Sequence, residues 1–286
     1  MPEWNTTIGL SAASYWALAA VLLIGVPHGG LDAAVARRVG WPKGLLPWLG
    51  FHLLYIGLAA AVAWLWWLYP LISLVFFLFI SALHFGSSDI RQIQSPFSLP
   101  ASLPLICHGG LVTIAIPALQ QDAVQPLFSA LIGADNSFWL LKQIDHLLLP
   151  WVLALFAYCI YTVYQPRWRG SLIMLLVFVV AAWRLPPLVS FALYFCLWHS
   201  RNHMLRIWRS ISLQDRPRSA RETVIYSVLA YAVAALYFFL QTGGSWTANL
   251  SMTPALLQLT FIGLAALTVP HMVLIDFIHG QREHHD

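Results

Sequence analysis

Residues 45–68 read LLPWLGFHLLYIGLAAAVAWLWWL, and this stretch decides the fold class. It carries no Asp, Glu, Lys or Arg, and it exceeds the roughly 20 apolar residues that an α-helix needs to cross a lipid bilayer. Similar apolar runs recur along the chain, at about 9–36, 45–68, 71–91, 100–119, 147–164, 170–184, 187–209, 221–241 and 253–279. They predict an all-α, polytopic transmembrane helix bundle of about nine helices. The count falls to eight if the short run 170–184, which Pro186-Pro187 follow, is only a half-helix.

The overall composition supports a membrane protein. Hydrophobic residues make up 59% of the 286 residues and charged residues only 9%, whereas a soluble domain carries about 25% charged residues. The net charge of +4 does not indicate nucleic-acid binding, because the basic residues lie in short loops between apolar runs. We predict one integral-membrane helical domain over residues 1–286, with the first apolar run retained rather than removed as a signal peptide.

The three cysteines, Cys107, Cys159 and Cys196, all lie in apolar runs. Their spacing forms neither a disulfide framework nor a CxxC metal-binding pair.

The distribution of basic residues predicts the orientation. Lys and Arg accumulate on the cytoplasmic side of membrane proteins. With nine helices, thirteen of the fifteen basic residues fall on one side, and only Lys142 and Arg184 fall on the other. We therefore expect the N-terminus outside, the C-terminus in the cytoplasm, and the cell (inner or plasma) membrane as the location. The segment 120–146 would be the longest extramembrane piece, on the outer surface.

Four histidines fall at a similar expected depth within the apolar runs. With a rise of 1.5 Å per residue, His28, His84, His199 and His203 lie roughly 9–15 Å from the basic residues that mark the inner surface. Ionisable side chains inside spanning helices are costly, so they are candidates for a functional site. The alternative is a set of polar residues that hydrogen-bond between packed helices.

The local sequence around these histidines favours metal binding. His199 and His203 are four residues apart, and two imidazoles at i and i+4 share one face of an α-helix. Gly29-Gly30 follow His28 and leave room for a neighbouring helix or a bulky ligand. Asp32 lies one turn beyond His28, where its carboxylate could accept a hydrogen bond from an imidazole N–H. Neutral imidazoles suit iron, zinc, copper and nickel, and Fe(2+) with open positions for dioxygen best explains an apolar site.

The remaining polar and aromatic residues in the apolar runs have more than one interpretation. His52, His108 and His271 are either core residues or residues that orient a metal ligand. Arg201 either reaches toward the cytoplasm or pairs with a carboxylate such as Asp89. An aromatic belt at the membrane surface is expected from Trp64, Trp66, Trp67 and Tyr69.

Three stretches resemble the Brp/Blh family of bacterial and archaeal membrane β-carotene 15,15′-dioxygenases. They are Gly25-Val26-Pro27-His28-Gly29-Gly30-Leu31-Asp32, His84-Phe85-Gly86-Ser87-Ser88-Asp89 and Trp198-His199-Ser200-Arg201-Asn202-His203. The resemblance extends over roughly residues 15–280. Gly30 stands where the family more often has Ala, a change not expected to affect the metal.

The resemblance implies a carotenoid-cleaving dioxygenase that holds one Fe(2+) with His28, His84, His199 and His203. It implies cleavage of the central double bond of β-carotene by dioxygen, with two molecules of all-trans-retinal as products. A long apolar tunnel, shaped by residues such as Phe85, Phe195 and Trp198, would hold the polyene. The substrate would come from the membrane lipid, and the retinal could serve a microbial rhodopsin. Asp32, His108 and His271 would support the site.

Other functions remain compatible with the residues alone. A histidine-box membrane iron oxygenase or desaturase would act on another lipid or carotenoid, but that class usually carries eight or more histidines in several boxes. A haem-binding electron carrier would use histidine pairs as axial ligands. A non-enzymatic transporter would relay protons through His and Asp without iron.

Overall fold

A computed structural model of the chain describes residues 9–90, 99–241 and 252–275. The regular secondary structure in these ranges is helical, which confirms the predicted all-α class. The α-helices in chain order are α1 Ala12–His28, α2 Asp32–Arg38, α3 Leu45–Leu68, α4 Pro70–Ile90, α5 Leu99–Gly110, α6 Ile116–Leu119, α7 Gln121–Ile132, α8 Ala134–Tyr164, α9 Arg169–Arg184, α10 Pro187–Ala192, α11 Arg201–Ser210, α12 Arg216–Gln241 and α13 Met252–Met272. The 3₁₀ segments are Gly29–Leu31 and Pro166–Trp168, and the π-helices are Leu111–Ala115 and Leu193–Ser200.

Eight helical runs in the described ranges are long and apolar enough to cross a membrane, so the chain is a membrane protein. The short run 170–184 is among them, because a 3₁₀ turn extends it to Pro166–Arg184. The predicted run 187–209 is helical but is divided into α10, a π-helix and α11, and its second half is polar. The orientation of the termini stays a prediction.

The predicted extramembrane segment 120–146 is largely helical. It consists of α7 and the beginning of α8, so α8 starts at Ala134 instead of residue 147. Polar residues in this part of α8 lower the local hydropathy without interrupting helix formation. The two helices are separated at Gly133, whose φ of 84° is a conformation that favours glycine.

Large apolar side chains cover much of the outer surface of the helices. On α3, Leu46 and Trp67 are 79% and 75% exposed, as expected for side chains that face lipid. Trp64 and Tyr69 are also exposed, in keeping with an aromatic belt. Trp66, in contrast, is 2% exposed and belongs to the interior, so its assignment to the belt is wrong.

The chain divides into two compact units. The first unit comprises Met1–Leu18 and Leu74–His199, and the second comprises Ala19–Ser73 and Ser200–Asp286. In the first unit, α8 packs against both α5 and α7. The Trp151 indole of α8 donates to the Cys107 carbonyl of α5 over 3.2 Å. Whether residues 1–286 act as one domain stays a prediction.

In the second unit, α13 packs along α3, and α12 packs against the Gly29–Leu31 turn. Its buried core gathers around α2 and contains Leu31, Ala33, Ala34, Val35, Ala36, Val39, Phe51, Ile207, Ile211, Leu274 and Ile275. The Arg37 guanidinium, near the end of α2, donates hydrogen bonds to Asp215, Ser219 and Glu222 at the start of α12. These contacts hold α2, whose first residue is Asp32.

Candidate metal centre

In the first unit, two of the predicted ligands lie side by side. His84 comes from α4 and His199 from the π-helix, and their ring centroids are 5.0 Å apart with planes at 70°. Both side chains are buried. Two imidazoles on one metal ion have centroids roughly 4.5–5.5 Å apart, because metal–nitrogen bonds are about 2 Å long. The spacing of this pair is therefore compatible with a shared metal.

A buried carboxylate fixes the orientation of His199. Asp89 Oδ1 lies 3.2 Å from His199 Nδ1, while Asp89 Oδ2 accepts hydrogen bonds from the Tyr194 hydroxyl at 2.7 Å and the Trp198 indole at 3.1 Å. A carboxylate accepts hydrogen bonds, so His199 Nδ1 carries the proton and Nε2 carries the lone pair. Carboxylates orient metal-binding histidines in this way.

The π-helix Leu193–Ser200 brings three hydrogen-bond donors, from Tyr194, Trp198 and His199, to the Asp89 carboxylate. A π-helix has i→i+5 hydrogen bonds and therefore a wider turn than an α-helix. Residues 194, 198 and 199 consequently lie on one side, although an α-helix would turn residue 199 away from residue 194. The assumption of one regular α-helix through both His199 and His203 is wrong, because His199 belongs to the π-helix and His203 to α11.

His108 contacts the same carboxylate from α5. Its Nδ1 lies 3.6 Å from Asp89 Oδ2, and its Nε2 lies 2.8 Å from the Ser171 hydroxyl of α9. The His108 ring is buried. The Phe85 and Phe195 rings pack on the neighbouring His199, and their centroids lie 4.6 and 6.0 Å from the His199 centroid. His108 thus belongs to the support of Asp89, and the two phenylalanines surround His199.

Glycines allow the helices that carry these groups to approach closely. A Cβ on Gly86 of α4 would overlap the Leu105 carbonyl of α5, and a Cβ on Gly109 of α5 would overlap the Ala82 carbonyl of α4. These reciprocal contacts flank His84 and His108 in the sequence. Glycines thus allow close helix packing beside His84 in α4 and beside His108 in α5.

The second unit contains a similar arrangement of carboxylate and imidazole. Asp32 is buried, and its Oδ1 lies 2.8 Å from His271 Nδ1 of α13. The Tyr55 hydroxyl of α3 donates to Asp32 Oδ2 over 2.8 Å. The carboxylate thus contacts an imidazole, as the sequence suggested, and the imidazole belongs to His271.

His203 lies next to His271, with ring centroids 4.9 Å apart and planes at 62°. On its other side, Arg206 Nη2 lies 3.0 Å from His203 Nδ1. A guanidinium only donates hydrogen bonds, so Nδ1 is the acceptor and a neutral ring carries its proton on Nε2. Coordination through Nε2 of His203 would require this contact to change.

Three further predicted residues are His28, His52 and Arg201. The side chain of His28 lies outside the described residues. One nitrogen of His52 contacts the Trp48 carbonyl of the same helix at 2.7 Å, and the other contacts the Tyr226 hydroxyl of α12 at 2.9 Å. Arg201 is exposed. The described side chains contain no group of three or more His, Cys, Asp or Glu positioned to hold a metal.

Sequence reasoning missed the roles of Asp89, Tyr194, Tyr55 and Arg206. One signal for Asp89 was available, since it follows His84 by five residues much as Asp32 follows His28 by four. The contacts of the two tyrosines join distant parts of the chain and leave no local pattern.

Helices that suit a membrane and buried histidines that contact buried carboxylates define the class: a polytopic membrane protein with histidines in its interior. The β-carotene 15,15′-dioxygenase family profile matches residues 19–279. The chain therefore belongs to the β-carotene 15,15′-dioxygenase family, which favours a dioxygenase over a desaturase, a haem carrier or a transporter.

Two relatives extend this comparison. The β-carotene 15,15′-dioxygenase of an uncultured marine bacterium is 36% identical over 277 residues, covering 95% of this chain and 96% of the relative. A probable β-carotene 15,15′-dioxygenase Blh of Halobacterium salinarum is 23% identical, covering 96% of this chain and 87% of the relative. No solved structure matches the chain.

Proposed function

We propose that the protein cleaves the central 15,15′ double bond of β-carotene with dioxygen and releases two molecules of all-trans-retinal. Ferrous iron, held by His28, His84, His199 and His203, is the proposed cofactor. The observation that carries the proposal is the Asp89-oriented His199 beside His84, in a chain that belongs to this family over residues 19–279.

The chemistry of the donor set suits this metal. Neutral imidazole is a good ligand for divalent iron, and carboxylate-bound Nδ1–H leaves Nε2 of His199 with the lone pair that coordination needs. Because His84 and His199 are buried, water is also kept from competing with them for the metal. His203 fits less directly because of its Arg206 contact.

When bound, ferrous iron supplies a redox-active centre at which dioxygen can be activated beside a double bond. The protein residues supply orientation and an apolar environment. Asp89 keeps the proton of His199 on Nδ1, and Tyr194 and Trp198 keep Asp89 in place. Phe85 and Phe195 present apolar rings around His199, which suits a hydrocarbon substrate.

Membrane lipid is the solvent for both the proposed substrate and the protein. β-Carotene dissolves in lipid, and the exposed apolar faces of α3 and α12 suit contact with lipid along their length. The proposed location is the inner or plasma membrane of a cell, with retinal passing to a microbial rhodopsin.

Expression in bacteria engineered to accumulate β-carotene tests the activity directly. Cells with the wild-type chain are expected to lose their orange colour and accumulate retinal, measured by chromatography of extracted pigments. His203→Ala at matched expression should leave the cells orange, whereas His146→Ala, at an exposed position of α8, should behave as wild type. Intact β-carotene in cells that hold folded, iron-loaded wild-type protein would refute the substrate assignment.

A further inference from the structure

The geometry points to His271 as a further ligand of the iron, an inference that rests on the proposed function. His271 is held as His199 is: a buried aspartate accepts the hydrogen bond from Nδ1, at 2.8 Å for Asp32 and 3.2 Å for Asp89. Each ring also lies beside a second histidine, at 4.9 and 5.0 Å between centroids. The two arrangements come from different helices and repeat the same local chemistry.

The protonation of the rings distinguishes His271 from its neighbour. Asp32 places the proton of His271 on Nδ1, so that Nε2 carries the lone pair. Arg206 has the opposite effect on His203, whose Nδ1 accepts and whose Nε2 carries the proton. Of the two rings, His271 is therefore the one whose Nε2 is prepared to bind a metal cation.

The negative charge of Asp32 also supports His271 as a ligand of the iron. Asp32 is 3% exposed, and among the described residues its hydrogen-bond donors are the hydroxyl of Tyr55 and the imidazole of His271. A buried anion is costly unless a positive charge lies nearby. Iron on Nε2 of His271 would supply that charge through the ring, as in other carboxylate–histidine–metal arrangements.

The sequence repeats a short motif at this position. Val269-Pro270-His271 matches Val26-Pro27-His28, which contains one of the proposed ligands. In both helices the proline removes a backbone N–H just before the histidine and loosens the local hydrogen bonding. Both prolines lie inside their helices, near the C-terminal ends of α1 and α13.

The competing interpretation is a protonated His271 that forms a closed ion pair with Asp32. Such a pair would stabilise the fold without contacting the metal. The two interpretations differ in what removal of the ring does to metal binding, so metal binding itself is the appropriate measurement.

The test uses the full chain, purified in detergent and stripped of metal. Fe(II) affinity is measured anaerobically by competition with a chromophoric chelator, and the coordination environment is followed by the visible absorption of bound Co(II). His271→Gln is expected to weaken Fe(II) binding at least tenfold and to change the Co(II) spectrum. His52→Gln is the matched control, and it should change neither, because the nitrogens of His52 contact the Trp48 carbonyl and the Tyr226 hydroxyl.

Each outcome decides between the interpretations. Wild-type affinity and spectrum in His271→Gln would overturn the inference and leave the proposed function intact. Weaker binding with an unchanged Co(II) spectrum would also overturn it, because His271 would then act only by positioning other groups. A wild-type protein that binds neither Fe(II) nor Co(II) would overturn both proposals.

A second pair of variants covers the case in which His271→Gln does not fold, as judged by the thermal unfolding of the metal-free protein. Asp32→Asn keeps the shape of the side chain and removes its charge, and it should also weaken Fe(II) binding about tenfold or more. In His271→Gly, added imidazole should restore the affinity and the Co(II) spectrum. If Asp32→Asn binds metal as wild type and imidazole restores nothing, His271 is not a ligand.

Discussion

His199 Nδ1 lies 3.2 Å from Asp89 Oδ1 inside a buried cluster, and this contact determines which nitrogen of the imidazole can bind a metal. Tyr194 and Trp198 donate to the other carboxylate oxygen, so Asp89 has little freedom to turn away. The carboxylate is therefore expected to matter for metal affinity although it belongs to no proposed set of ligands.

Asp89→Asn tests this role. The amide removes the negative charge and can present an N–H to Nδ1, so the ring is no longer held with its proton on that nitrogen. We expect Fe(II) affinity to fall about 10–100-fold, measured by chelator competition on the metal-stripped protein. Asp135→Asn, at an exposed position in the first turn of α8, is the control and should bind as wild type. Unchanged affinity in Asp89→Asn would mean that His199 needs no such orientation.

Gly109→Ala tests the close approach of α4 and α5. The new methyl group would overlap the Ala82 carbonyl, and a backbone atom cannot move aside without shifting its helix. We expect a loss of about 1–3 kcal/mol, seen as a lower thermal unfolding midpoint in detergent. Gly57→Ala in α3 is the matched control, because a Cβ there meets nothing within 4 Å and alanine favours a helix. Equal midpoints for the two variants would contradict the packing described for Gly109.

The Arg37 cluster makes a separate prediction about stability. Arg37 Nη1 donates to Glu222 Oε2 over 2.6 Å, and its other nitrogens reach Asp215 and Ser219. These groups are largely shielded from solvent, so we expect a coupling between Arg37 and Glu222 of about 1–3 kcal/mol. A double-mutant cycle with Arg37→Ala and Glu222→Gln would measure it. Arg38→Ala, on the exposed neighbour, should change stability by less than about 0.5 kcal/mol.

The variant His52→Gln tests whether His52 affects only stability or also the proposed metal site. His52→Gln disturbs hydrogen bonds to the Trp48 carbonyl and the Tyr226 hydroxyl, so the unfolding midpoint should fall by a few degrees. Fe(II) binding and retinal production per folded molecule should be unchanged. Loss of iron in a folded His52→Gln protein would show that this histidine contributes to the site.

The helices were predictable from the sequence because their signal is local. The apolar run 45–68 coincides with α3, and 71–91 differs from α4 by one residue at each end. The start of α8 was missed because a hydropathy criterion cannot recognise the helical but polar beginning at Ala134.

The site was only partly predictable because its contacts join distant residues. His84 and His199 are buried together, yet the carboxylate that orients His199 is 110 positions away in the chain. Asp32 and His271 are separated by 239 positions. The π-helix could not be foreseen either, since no residue type specifies it, and it changes which side chains share a face.

The orientation of the chain depends on whether the run 187–209 crosses the membrane. The predicted arrangement places Arg201, Arg206 and Arg209 at its cytoplasmic end and Arg184 outside. Within the described residues, this run is helical but is not among the eight runs whose length and apolar character suit a span, because its second half is polar. His199 and His203 are buried and lie in that polar half. The predicted arrangement places both histidines inside the bilayer, so it requires this run to cross the membrane.

Reporter fusions on either side of this run decide the question. Alkaline phosphatase fused after Pro186 should be active, because that position is predicted to lie outside, and a fluorescent protein fused after Ser212 should fluoresce in the cytoplasm. Fusions after Lys43 and Tyr69, which flank α3, give the reference signals for the two sides. If the reporters place Pro186 and Ser212 on the same side while the α3 pair differs, the run does not cross. The chain would then have eight spanning helices, and both termini would lie on one side.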